Sequence, residues 1–473
     1  MLSKTMFIAI SILLTASHVL TPAIGQAKSG RFLLISDIHF DPFHDPSLFE
    51  KLADQPVEHW KQILASSRNL QFSRYGQDTN YSLLKSTLDD ALKRIPDPDF
   101  IIYPGDSTAH NWQKKYDSMA KHSHLSDPAA YRSFKTKTIQ FLARQFRQRW
   151  PHTPVVATLG NNDSYCGDYM ITPQGPFLSM FANAWAPLLG DSINLSAFRK
   201  SFSDHSHYTM RIPSMRHHRV IVFDNVYWSN RYDNACGAAT QTPALDQLAW
   251  LETVLADSSA AGEKVWLLLH IPAGVNNFVS SNAKQDNYAG PVTYWQQALT
   301  SRFAQLVERY GSTIQIVFAG HTHMDDFRII RLDGKASLLM KIAPSVSPVF
   351  GNNPAYQIYD YDCDSGRLKN YRTFFLTNLS TYLELGSAAV PNWDLEYDFQ
   401  KAYKLPSLNA ATVEKLANGI KTDGTIRKAY SDFYDVNGPS AFNAETVYGY
   451  SCAILNPTPA KYKACSNAEN QIP

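Results

Sequence analysis

At 473 residues, with 44% of them hydrophobic and a formal net charge of +2, the chain has ample material for a large core. Its near-neutral balance gives no electrostatic basis for gripping a nucleic-acid duplex or an anionic membrane surface. No stretch has the low hydrophobicity and high charge of a disordered region.

The chain begins with what reads as an export signal: Lys4 supplies a positive start, Met6 to Leu20 an apolar run, and Ala23-Ile24-Gly25 or Gly25-Gln26-Ala27 small residues for cleavage. That run is too short, and too interrupted by Ser17 and His18, for a permanent membrane span. The expectation is a secreted or periplasmic protein with a signal peptide over residues 1–27 and no stable membrane insertion. Five cysteines suit an oxidising compartment: Cys452 and Cys465 can close a short loop, Cys166 can pair with Cys236, and Cys363 is left over, although sequence does not fix the pairing.

The first strand, Arg31 to Ser36, runs straight into Asp37-Ile38-His39, and side chains at i and i+2 of extended chain leave one face. Tyr81 to Lys93 has helical apolar spacing. Phe100 to Tyr103 reads as a strand ending in Pro104-Gly105-Asp106, and Tyr131 to Trp150 as a long helix closed by Pro151. The strand Val155 to Thr158 ends in Leu159-Gly160-Asn161-Asn162-Asp163. Tyr208 to Ile212 and Val220 to Phe223 read as paired strands, with the basic run Arg216-His217-His218-Arg219 as a solvated hairpin end. A helix over Leu245 to Ala256, opened by Thr242 and Pro243, precedes the buried strand Val265 to Leu269, which delivers His270. A helix over Val292 to Tyr310 leads to the strand Ile314 to Ala319 and then to Gly320-His321-Thr322-His323. Strands follow at Phe327 to Leu332, Ser337 to Ile342, Tyr356 to Tyr361 and Leu368 to Phe375.

This alternation is a layered α/β pattern without internal repeats. We expect residues 28–376 to form the catalytic domain. From Thr377 the chain turns to tyrosine- and tryptophan-rich stretches, including Trp393 to Tyr403 and Ala411 to Leu416, which read as a C-terminal helical subdomain over residues 377–473. The loops Asn111 to Ser126 and Asn276 to Pro291 are expected to shape substrate choice.

Five strands thus end in nitrogen or oxygen donors: Asp37 with His39, Asp106, Asn161, His270, and His321 with His323. Any one of these has an ordinary explanation as a turn residue or satisfied polar group. Their recurrence at successive strand ends, where open α/β sheets place their ligands, points to a metal centre suited to zinc, manganese or iron.

The ordered series Asp-x-His, Gly-Asp, Gly-Asn-x-Asp, His, Gly-His-x-His, running from Asp37 to His323, resembles the calcineurin-like metallophosphoesterase superfamily. The resemblance implies a four-layer α/β/β/α sandwich with a C-terminal helical appendage and a two-metal centre, most readily zinc. It assigns Asp37, His39, Asp106 and His323 to one metal, and Asp106, Asn161, His270 and His321 to the other, with Asp106 bridging. Two cations ~3.5–4 Å apart clamp a phosphoryl group and lower the pKa of a water for in-line attack. Asn161 adds an oxygen without adding charge.

Purple acid phosphatases place a tyrosine three residues after the bridging aspartate, where this chain has Ala109. Instead Gly105-Asp106-Ser107-Thr108-Ala109-His110-Asn111, Pro344-Ser345-Val346-Ser347-Pro348 and Asn353-Pro354-Ala355-Tyr356 are similar to the acid sphingomyelinase-like phosphodiesterases. Many relatives read Gly-Asn-His-Asp, with the histidine contacting phosphate. Asn162 stands in that position here and cannot transfer a proton, so the resemblance leaves His110 as the candidate general acid and Asn162 as a donor to a phosphoryl oxygen.

The expected function is a metal-dependent phosphodiesterase or phosphohydrolase acting on a small phosphate ester or anhydride of nucleotide or phosphocholine type. Sphingomyelin cleavage is an alternative. So is endopolyphosphatase activity, which the Gly-Asn-Asn-Asp form also resembles, and a non-catalytic binding protein on the same fold is the reading from another class. Oligomeric state is not legible.

Overall fold

Two six-stranded sheets meet through a stack of aromatic rings. Phe32 of β1 (Ser29–Leu34) lies 4.8 Å from Phe100 of β2 (Phe100–Tyr103) and 4.7 Å from Tyr359 of β10 (Ala355–Asp362), stacked on both. From the facing sheet, Trp266 of β6 (Lys264–Leu268) and Phe318 of β7 (Ile314–Ala319) approach Phe32 at 5.5 and 5.7 Å. Offset and edge-on ring pairs of this kind add specificity of packing to the area they bury. The computed structural model that shows this describes residues 28–121, 123–233, 242–280, 290–331, 337–385, 390–439 and 446–469. The export signal therefore lies outside the described residues, as do Cys236, with its expected bond to Cys166, and most of the loop from Asn276 to Pro291.

The first sheet has the order β12-β11-β10-β1-β2-β3, where β3 is Val155–Ala157, β11 is Leu368–Leu376 and β12 is Trp393–Asp398. The second runs β4-β5-β6-β7-β9-β8, with β4 at His207–Met210, β5 at His218–Phe223, β8 at Asp326–Ile330 and β9 at Leu338–Ile342. β1, β2 and β3 are parallel, as are β5, β6, β7 and β9. β2 and β3 are buried along their whole length, as expected of parallel strands covered on both faces. The helices Pro128–Arg149 and Pro176–Trp185 cover one outer face through Phe146 and Trp185 against Tyr103. The helix Thr242–Ala260 covers the other, against β6 and the helix Gln297–Tyr310. The architecture is the α/β/β/α sandwich, and helices follow at the C-terminus, where Cys452 and Cys465 are bonded; Cys363, just after β10, is a free buried thiol.

Three local readings are corrected. Trp393 to Tyr403 is not one helix: Trp393–Asp398 is strand β12, the edge partner of β11, and only Phe399–Tyr403 is helical. The alternation of Trp393, Leu395 and Tyr397 with Asp394, Glu396 and Asp398 has the two-residue period of a strand. The expected loop Asn111 to Ser126 contains a helix, Trp112–Ala120, whose buried Trp112, Tyr116 and Ala120 recur every four residues. In the basic run, Arg216 and His217 are exposed, but His218 opens β5 and is buried, and Arg219 pairs with Glu263 at 2.7 Å.

Two ion pairs lie out of water at β8 and β9: Lys341 of β9 with Asp325, which immediately precedes β8, both fully buried, and Arg328 with Asp326 within β8. Asp325 Oδ2 also accepts from Gln357, Thr373 and Tyr397, and Tyr430 donates to Asp326. Removing one partner strands the other charge, so Asp325→Ala should cost about 3–5 kcal/mol, read by urea denaturation. A loss below about 1 kcal/mol would show that Lys341 is not held as a buried charge.

Candidate metal centre

The carboxyl ends of β1, β2, β3, β6 and β7 converge, and each delivers its donors on a tight turn. Asp37, His39, Asp106, His321 and His323 all have positive φ, between 44° and 74°. That region costs of order 1–3 kcal/mol per non-glycine residue and persists only where surroundings impose it. Glycines make the close approach possible: a Cβ on Gly160 would overlap the Asp106 carboxylate, and one on Gly320 would overlap Asp37 and Ser36. Asp163, the last residue of Gly-Asn-Asn-Asp, fastens two of the loops by accepting from Ser107 N at 2.7 Å and Gly160 N at 2.9 Å.

All seven expected ligands come together. His39 Nε2 lies 3.0 Å from His323 Nε2, 3.3 Å from Asp106 Oδ2 and 3.9 Å from Asp37 Oδ1. His270 Nε2 lies 3.2 Å from Asp106 Oδ2 and 3.1 Å from Asn161 Oδ1, and His321 Nδ1 lies 2.8 Å from Asn161 Oδ1. One carboxylate oxygen of Asp106 thus faces a donor set of Asp37, His39 and His323 on one side and of Asn161, His270 and His321 on the other.

The arrangement fits metal cations. His39 Nδ1 and His270 Nδ1 each sit 3.0 Å from a backbone carbonyl, of Thr108 and Pro104. Those carbonyls accept from Nδ1, which turns both Nε2 atoms toward the centre and leaves that of the neutral His39 ring a lone-pair donor. Lone pairs facing lone pairs at about 3 Å repel unless a cation lies between them. Tetrahedral ligands ~2.0–2.1 Å from zinc lie about 3.3 Å apart, close to these separations. Burial lowers His39 to about 4 and His321 to about 3, and it holds His323 well below the usual range, so the three rings are neutral, as ligation requires. Burial also opposes charge on His270, but the Asp106 carboxylate beside it outweighs this and raises it to about 9.

His110 stacks on His39 with ring centres 4.0 Å apart, and a ring nitrogen of it comes within 4.8 Å of ligand nitrogens of His39 and His323. Its Nδ1 is 2.7 Å from Asp78 Oδ1, so Nε2 is the nitrogen left for the site. Burial works against charge on His110, yet the hydrogen bond and charge of Asp78 raise it above its ordinary value. Asn162 is buried and donates to Asp106 twice, from its main-chain N at 2.8 Å and from Nδ2 at 3.1 Å.

Sequence reasoning did not find Asp78, Lys115 or Phe350. Asp78 lies in an irregular polar stretch and Lys115 in the missed helix, where its ammonium joins Asp78 at 2.7 Å to Asp41 at 2.8 Å. Phe350, half exposed, sets its ring edge-on to His323 at 4.6 Å and His110 at 5.5 Å. None of the three directly follows a strand, which was the signal that exposed the candidate ligands.

A family model described as calcineurin-like phosphoesterase matches residues 30–325. The chain belongs to that family, and it is a metal-dependent phosphoric ester hydrolase. Within it, the chain is similar to human acid sphingomyelinase-like phosphodiesterase 3b, 26% identical over 470 residues covering 95% of this chain and 92% of that protein. It is also similar to rat cyclic GMP-AMP phosphodiesterase SMPDL3A (26% over 465 residues, 94% of each chain) and to sphingomyelinase phosphodiesterase C of Dictyostelium discoideum (26% over 477 residues, 98% of each). Among solved structures, a dimetal phosphatase from Danio rerio aligns with a TM-score of 0.40 at 11% identity, covering 73% of this chain and 95% of that one.

Gly320→Ala should push the Asp37 carboxylate out of the cluster. Metal content of purified protein should fall below that of the unaltered chain, with affinity lower by ~10–100-fold, the range for disturbed ligand support. Unchanged content and affinity would mean the turn yields without moving Asp37.

Proposed function

We propose that the protein is a secreted, dinuclear-metal phosphodiesterase or phosphohydrolase that hydrolyses phosphate esters or anhydrides of nucleotide or phosphocholine type. The observation that carries this reading is Asp106, a single carboxylate flanked by two complete donor sets, with His110 at the edge of one. Zinc suits the set best, and manganese or iron are the other candidates. Such cations supply Lewis-acid charge for a phosphoryl group and a water of lowered pKa.

The chain's own residues complete the chemistry. His110, kept protonated by Asp78, gives its Nε2 proton to the leaving oxygen. Asn162 offers its amide to a non-bridging phosphoryl oxygen from its place beside Asp106. Behind His110 opens a cavity of about 530 Å³ whose lining includes Asp41, His44, Asn69, Gln71, Arg74 and Gln77. Polar walls of this kind favour a polar leaving group over the two chains of a ceramide. Half-exposed Phe350 favours the second reading, sphingomyelin cleavage, since it gives the rim an apolar foothold. Among the described residues no helix is long and apolar enough to cross a membrane.

Changing Asp106 or His321 to Ala should abolish hydrolysis of a chromogenic phosphodiester, and chelation should do the same. Full activity in a demetallated sample would sink the reading, and a chain that holds two metals but hydrolyses nothing would favour a binding protein. Assaying nucleotides, phosphocholine esters, sphingomyelin and polyphosphate side by side separates the substrate classes.

For His110→Ala, turnover should fall ~10²–10⁴-fold with poor leaving groups, and much less with nitrophenolate, which leaves without a proton. Equal losses with both would remove His110 from the acid role.

A further inference from the structure

Asp168 and Tyr169 are neighbours in the chain, and each touches a different ligand of the same donor set. Asp168 Oδ1 accepts from Asn161 Nδ2 at 2.6 Å. That bond decides which end of the amide faces the centre: with the nitrogen committed to the carboxylate, Asn161 Oδ1 is turned toward His270 Nε2 and His321 Nδ1. Tyr169 Oη lies 3.1 Å from His321 Nε2. Ligation through Nδ1 requires the His321 proton on Nε2, and there the phenol oxygen accepts it. One dipeptide therefore sets the amide orientation and accommodates the ring tautomer that ligation requires.

The dipeptide is itself held. Tyr169 is buried at a φ of 56°, its N–H donates to Asn161 O at 3.0 Å, and its carbonyl accepts from Asp233 N at 3.0 Å. Above it, the Arg231 guanidinium lies 4.2 Å from the centre of the Tyr169 ring and 3.5 Å from Asp168 Oδ2. The cation spans the two residues, joining a ring face to a carboxylate. The other donor set is fastened differently, through the Thr108 carbonyl on His39, while His323 Nδ1 is buried without a hydrogen-bond partner among the described residues.

We propose that Asp168 and Tyr169, capped by Arg231, are positioning residues for one metal site alone, that of Asn161, His270 and His321, and that they set its occupancy separately from the site of Asp37, His39 and His323. This rests on the dinuclear reading above. The two sites then differ in how they are supported. The Asn161 site depends on side chains near the surface, and its affinity can change without disturbing the other.

The test titrates metal-free protein with Zn²⁺ by calorimetry and with Co²⁺ by visible absorption. The unaltered chain should show two binding steps. Tyr169→Phe keeps the ring and its stack with Arg231 and deletes only the hydroxyl. It should weaken one step by about 10–100-fold and leave the other unchanged. Asp168→Ala should weaken the same step. The thermal unfolding midpoint of metal-free Tyr169→Phe should match the parent, which separates positioning from general destabilisation. Two parental steps in both variants, or an equal loss at both steps, would overturn the proposal and leave the dinuclear reading standing. Failure of the unaltered chain to show two steps would overturn that reading and the proposal with it.

Discussion

Acceptors packed against acceptors are the constraint on which this structure depends. His39 Nε2 and His323 Nε2 are 3.0 Å apart, and His321 Nδ1 and Asn161 Oδ1 are 2.8 Å apart, with His39, His323 and Asn161 all buried. Such a cluster is repulsive in isolation, and a chain free to relax would open it. It is kept together by features that have no other evident purpose: backbone carbonyls that claim the opposite ring nitrogens, glycines that let carboxylates lie against the main chain, and five non-glycine residues in left-handed turns. The cost in strain is of the order of several kcal/mol. A cation shared by the cluster is the natural compensation, since it turns each close pair of acceptors into a pair of ligands.

Rigidity for this comes from the sheets. Parallel strands buried on both faces end at fixed heights, and the ring stack centred on Phe32 locks one sheet against the other. Donors from β1, β2 and β3 therefore meet donors from β6 and β7 at separations that the loops alone would not hold. The region beyond residue 377 contributes as well. β12 extends the first sheet, its Tyr397 donates to Asp325 two residues after His323, and Asp325 N–H donates to the Tyr434 carbonyl. The loop that supplies both His321 and His323 is braced from behind by this C-terminal chain.

How much of this was legible follows from what each feature writes into the sequence. The candidate ligands stand directly after apolar strands, so Asp37, His39, Asp106, Asn161, His270, His321 and His323 could each be picked out by position. The supports carry no such mark. Asp78 reaches His110 from an irregular stretch, and Asp168 and Tyr169 follow a glycine in a turn. Their partners are fixed by tertiary approach across more than a hundred residues in the case of Tyr169 and His321. Strand β12 was misread because its aromatic content drew attention away from its period of two. The helix Trp112–Ala120 was missed because two turns give too little periodicity to stand out against a polar loop.

The two flanks of the centre are not equivalent, and the difference orients a substrate. On the flank of His39 and His323, the proton of His110 is balanced by Asp78, and Lys115 lies between Asp78 and Asp41, so opposite charges are paired around a donor facing a polar cavity. On the flank of Asn161 and His321, Arg231 is exposed and its carboxylate contact is a long 3.5 Å, so positive charge is left facing solvent. A departing alkoxide needs a proton, which His110 on the first flank would give in the proposed mechanism. An approaching phosphate needs attraction, which the second supplies. On the mechanism proposed above, a diester would lie across the centre with its leaving group toward His110 and its retained group toward Arg231, whose charge Asp168 meets only at 3.5 Å.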